Sequence, residues 1–175
     1  MAVKPILPFG DPVLRQISEP VTAFGNELIR LLDDLTDTLH ADAGGAGLAA
    51  PQIGVSKRVI VIDCGDGLIE LVNPQLLEMR GEQTGPEGCL SYPKFNGTVT
   101  RAKQVKVKYF NRRGKEMLLE GADFLARCIQ HEMDHLNGIL YIDRVQGDYL
   151  YQDETRQRVK LQDVLSLSNP SVPCP

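Results

Sequence analysis

The sequence predicts an α+β fold, with mostly antiparallel strands packed around a central helix that carries a His-Glu-x-x-His motif. Three observations lead there. Two segments repeat apolar residues at helical spacing, short β-branched runs lie between them with turn residues at their ends, and strands and helices do not alternate strictly.

The first helical segment is NELIRLLDDLTDTLH, residues 26–40, with leucines at 28, 31, 32, 35 and 39 on one face and Asn26 placed to cap its start. A glycine-rich stretch, AGGAGLAAPQIG, follows. RVIVID (58–63), LIELVN (68–73) and QVKVKYF (104–110) read as strands. NRRGKEM reads as a hairpin turn into a further strand, MLLEG. Residues 121–138 read as the second long helix, capped by Asp123 and stopped by Gly138. ILYIDRV reads as a last short strand or extended segment. Beyond Gln146 the chain is polar, with one weak helical pattern, ETRQRVKLQDVL, and a loose proline-bearing end, NPSVPCP.

A chain of 175 residues suits one domain with a core of its own. The net charge of −4 offers no basic face, so no direct nucleic-acid site is expected. No stretch approaches the roughly 20 apolar residues that span a bilayer, and proline, glycine and aspartate break the N-terminus as a signal peptide. The expected setting is cytoplasmic. There Cys64, Cys89, Cys128 and Cys174, which form no Cys-x-x-Cys pair, should be reduced.

The chemistry concentrates in QHEMDHLNG, residues 130–138. Positions i and i+4 share a helix face, so His131 and His135 can point at one cation while Glu132 reaches toward its water without ligating. A third ligand is needed. A zinc endopeptidase of this type would place a histidine where Tyr141 stands, or a downstream carboxylate, for which only Asp153 and Glu154 of a charged segment offer. His40 reads as a surface residue or a partner for the helix dipole. Cys89 in GPEGCLSYP is the best candidate, and three protein ligands with one open position form a catalytic zinc-type site. Cys64 and Cys128 read better as small buried hydrophobes. A non-catalytic binding module stabilised by metal is the alternative from another class, but it would want a fourth protein ligand.

GAGLAAPQ (45–52), EGCLS (87–91) and QHEMDHL (130–136) resemble the three signature motifs of peptide deformylase, in that family's order. The likeness runs from about residue 5 to residue 145. It implies a single catalytic domain over residues 1–145, with residues 146–175 a tail that is partly helical or disordered. It implies a hydrolase that removes the formyl group from N-formylmethionine on newly made polypeptides and releases formate. Cys89, His131 and His135 would hold the metal, and water on the metal would be the nucleophile. Glu132 would be general acid/base, with Gln52 and the Leu90 N–H as oxyanion donors. Gly47 would set its backbone against the substrate. Ala46, Phe124, Leu125 and Cys128 would wall the methionine pocket, with His131 nearby. The resemblance implies Fe(2+) in the cell, with Zn(2+), Ni(2+) or Co(2+) able to take the site. It also implies a monomer that meets its nascent-chain substrates, with transient ribosome contact. Three positions depart from some relatives. Gly85 and Arg127 stand where aliphatic residues are common, so Arg127 either turns outward or lines the pocket with its stem. Gly44 stands where an acidic partner of Arg101 is common, which leaves Asp42 as a partner for Arg101.

Overall fold

The computed structural model describes residues 2–42 and 44–168. Helix α1 spans Asn26–Ala41 and buries Leu28, Leu32, Leu35 and Leu39, the stripe expected from their spacing. Gly25, not Asn26, occupies its N-cap, and no side chain caps it. The strands follow as β1 (Gly47–Ala49), β2 (Val59–Asp63), β3 (Leu68–Arg80), β4 (Gln83–Cys89), β5 (Tyr92–Arg101), β6 (Gln104–Phe110) and β7 (Glu116–Ala122). Helix α2 runs over Asp123–His135, and β8 (Tyr149–Gln152), β9 (Arg158–Lys160) and α3 (Leu161–Ser168) close the described chain.

Two antiparallel sheets result, ordered β1-β2-β3-β6-β7 and β4-β5-β8-β9. Strand β2 shows how the first is packed. Side chains alternate across a strand, and both faces of β2 are buried: Val59 and Val61 meet the leucines of α1, whereas Ile60 and Ile62 meet Ala126, Cys128 and Ile129 of α2. A third cluster joins Val99 of β5, Leu150 of β8 and Val164 of α3 to Leu140, Tyr141 and Ile142.

The expected arrangement of strands around one central, motif-bearing helix needs correction. The fold is mixed α/β with two antiparallel sheets, and its cluster of metal-ligating types is Cys89, His131 and His135, not a His-Glu-x-x-His motif standing alone on a helix. One helix face presents two imidazoles at i and i+4, so a third donor must come from a facing element. Here that element is the end of β4 in the second sheet.

Smaller differences have local causes. Ala122 rather than Asp123 is the N-cap of α2. The expected strand at ILYIDRV is a 3₁₀ turn over Tyr141–Asp143. The weak helical pattern at 154–165 divides between β9, paired to β8, and α3. The NPSVPCP end and Cys174 lie outside the described residues. Gly138 does stop the second helix: it sits at φ +69°, and a β-carbon there would meet the Arg15 carbonyl oxygen at 2.5 Å. No described helix is long and apolar enough to cross a membrane.

Candidate metal centre and active site

The site lies where α2 meets the β4–β5 hairpin. Strand β4 ends at Cys89, and Leu90 and Ser91 form the turn into β5. The ligating atoms of Cys89, His131 and His135 lie within 4.8 Å of one another. Cys89 Sγ is 3.3 Å from His135 Nε2, and the two imidazole rings stand edge-on at 72° with centroids 5.0 Å apart.

Glu87 sets the orientation of His131. Glu87 Oε1 meets His131 Nδ1 at 2.6 Å. That leaves His131 Nε2 for the cluster and fixes the ring, as carboxylate partners of metal-bound histidines do. Glu87 is itself held by Arg101 at both oxygens and by Arg127 Nη1, which donates to Oε2 at 2.9 Å. Arg101 also donates to Asp134, which in turn accepts from Arg144 Nε and Nη2 at 2.6 and 2.7 Å. Burial alone would raise the Glu87 carboxyl. Hydrogen bonds and charges from His131 and Arg101 more than reverse that, and hold it well below the usual carboxylate range.

Glu132 packs against Gly47 with Oε2 buried and without a hydrogen-bond partner among the described residues. Burial pushes its carboxyl up to about 7, helped by Glu87 and Asp134 and opposed by His131 and Arg101. Gln52 comes from the 3₁₀ turn after β1. Its Oε1 accepts the Ala49 N–H at 2.8 Å, which turns its amide nitrogen toward Cys89 Sγ at 3.5 Å and Ser91 Oγ at 3.3 Å.

These residues fit a single divalent cation. Burial opposes charge on His131, yet Cys89, Glu87 and Glu132 raise its pKa well above the ordinary imidazole value. Burial and the neighbouring His131 push His135 well below it. Three donor atoms within 4.8 Å of one another, a thiol sulfur and two ring nitrogens, suit one such ion. Glu132 lines the same cavity as Cys89 and His131, and a polar group on a cation there would satisfy its partnerless Oε2.

A cavity of about 490 Å³ opens beside the cluster. Ala46, Gly47, Gln52, Leu90, Phe124 and Cys128 line it, alongside Cys89 and His131 of the cluster. Leu125 is not in this lining; it packs into the core around α2. Arg127 turns inward rather than to solvent, and Arg101 binds Glu87 and Asp134 instead of Asp42. His40 is exposed and pairs with Asp63, away from the cluster. Cys64, Cys89 and Cys128 are free thiols, with Cys64 and Cys128 sulfurs 3.8 Å apart. The sequence reading missed Glu87 as the partner of His131; its one signal was its place two residues before Cys89 in the same short motif.

A three-donor Cys-His-His cluster, a buried carboxylate near neutrality and an oriented side-chain amide define a metal-dependent hydrolase of polarised carbonyls. The polypeptide deformylase family model matches residues 3–149. The chain is 53% identical over 148 residues to peptide deformylase of Heliobacterium modesticaldum, covering 85% of this chain and 97% of that one. It is 52% identical over 156 residues to peptide deformylase 1 of Bacillus subtilis, covering 88% and 96%. The crystal structure of peptide deformylase from Thermotoga maritima superposes with a TM-score of 0.81 at 42% identity, over 84% of this chain and all of that one. That from Synechococcus elongatus, in complex with actinonin, superposes at 0.80 and 37% identity, over 96% of this chain and 88% of that one. The chain belongs to the polypeptide deformylase family.

Proposed function

We propose that the protein removes the formyl group from N-formylmethionine at the start of newly made polypeptides. The observation that carries this reading is the buried, partnerless Oε2 of Glu132 beside the Cys89–His131–His135 cluster and the Gln52 amide. A divalent cation on these three residues would lower the pKa of a water molecule and polarise the formyl carbonyl. Glu132 takes a proton at Oε2 as the tetrahedral intermediate forms, and returns one to the departing amine. The Gln52 amide and the Leu90 N–H donate to the oxygen that becomes negative, without adding net charge. Gly47 lets the substrate backbone come close, and the methionine side chain enters the cavity between Ala46, Phe124 and Cys128.

Fe(2+) is the cation we assign in the cell, on the family membership; a thiolate beside two imidazoles suits ferrous iron and zinc alike. Zn(2+), Ni(2+) and Co(2+) suit the same donors. Metal analysis of protein purified without oxygen tests this. The setting is the cytoplasm, where nascent chains carry their formyl group and transient ribosome contact would deliver them. One chain supplies every donor, which supports a monomer. Residues 1–145 carry this machinery as the catalytic domain, and the tail from residue 146 braces the second sheet through β8 and α3.

A zinc endopeptidase would take a third histidine or carboxylate ligand, whereas the third donor here is a thiol. Formate release from a short N-formylmethionyl peptide is the test. Rapid release is expected, and none from folded, metal-loaded protein overturns the proposal.

A further inference from the structure

The cavity beside the cluster is not apolar throughout. Arg127 sits one helical turn before His131, lines the cavity and is 7% exposed. Its guanidinium is clamped on one side: Nη1 donates to Glu87 Oε2 at 2.9 Å and to the Val99 carbonyl at 3.1 Å, and Nη2 donates to the Gln83 carbonyl at 3.3 Å. A guanidinium has five N–H donors. These bonds leave Nε–H and one Nη2 hydrogen without an acceptor among the described residues. Nη2 lies beside strand β4, where a β-carbon at Gly85 would make an ordinary contact with it at 3.6 Å. Phe124 and Cys128 on the same helix supply apolar wall. The cavity therefore combines apolar surface with a fixed cationic donor largely removed from water.

We propose that Arg127 determines side-chain specificity, hydrogen-bonding an acceptor carried by the formylated residue, so that peptides beginning with N-formyl-methionine sulfoxide are substrates as well as those beginning with N-formylmethionine. This rests on the deformylase reading and on the cavity receiving that side chain. A thioether is a weak acceptor, so methionine gains mainly from the apolar wall. A sulfoxide oxygen is a strong acceptor, and burying it unpaired in an apolar pocket would be unfavourable. The free N–H groups of Arg127 pair with it, and a hydrogen bond to a charged donor is worth about tenfold or more in discrimination.

The test compares kcat/KM for two peptides that differ only in methionine or methionine sulfoxide at the formylated residue, using wild type, Arg127→Leu and Arg127→Lys. The ratio of the two values does not depend on how much protein is folded or metal-loaded. The sulfoxide-to-methionine ratio should fall about tenfold or more in Arg127→Leu, and Arg127→Lys, which keeps a cationic donor, should retain part of it. A merely structural Arg127 would lower both rates together. Deformylation of the methionine peptide with an unchanged ratio in Arg127→Leu, or with no release from the sulfoxide by wild type, overturns this proposal alone. No formate from either peptide overturns the deformylase reading and this proposal with it.

Discussion

A β-carbon added to Gly47 would lie 2.7 Å from Oε1 of Glu132 and 2.8 Å from its Cγ. The backbone of β1 and the carboxylate of α2 thus touch directly, and the absence of a side chain at 47 is what leaves room for the Glu132 side chain. Alanine at this position must displace either the strand or the carboxylate. A shift near 1 Å at a reacting group lowers rate by about 100-fold. Gly47→Ala should therefore bind metal normally and lose about that much in kcat, read by formate release at saturating substrate.

Gln52 is held by the Ala49 N–H so that its amide hydrogens face Cys89 and Ser91. If it donates to the developing oxyanion, Gln52→Ala should lower kcat by about 100- to 1,000-fold while KM changes little. Gln52→Glu, which places an acceptor where the donor was, should do no better. Steady-state kinetics at matched metal content check this.

Glu87 links His131 of the Cys-His-His cluster to Arg101 and Arg127. Glu87→Gln should weaken metal affinity by about 10- to 100-fold, measured by competition with a chelator. The same carboxylate should make the fold acid-sensitive. Its folded pKa lies below the ordinary value of 4.5, so the stability it contributes is complete above that pH and is lost as pH falls through and below it. Thermal melts of the wild type should drop steeply below about pH 4.5. Glu87→Gln should melt lower at neutral pH, because buried Arg127 loses its anionic partner and Arg101 loses one of two, and should show a shallower acid slope.

Much of this arrangement was legible in the residues. The leucine stripe of α1 and the alternation in β6 come from local periodicity, and three short motifs brought Cys89, His131, His135, Glu132 and Gln52 into one site. The β4–β5 hairpin was not legible. Gln83–Cys89 reads QTGPEGC, with two glycines and a proline and no β-branched alternation, and it becomes a strand only by pairing with β5. The segment that carries Cys89 therefore has no strand expected for it, although Cys89 itself is expected beside His131 and His135. Arg101 and Arg127 were placed by tertiary charge: both converge on Glu87, a pairing that helical spacing does not reveal. Leu125 sits one residue from Phe124, a rotation of about 100° that carries it from the cavity to the core.

The central claim is that Glu132 does the proton chemistry at a Cys-His-His centre it does not itself ligate. Glu132→Gln tests it most directly, with formate release and metal content measured on the same sample. The account predicts turnover reduced by about 100- to 10,000-fold with the metal retained at the wild-type ratio. Turnover near the wild-type rate with metal in place would contradict it, and loss of the metal with the substitution would show Glu132 to be a ligand instead of the acid/base.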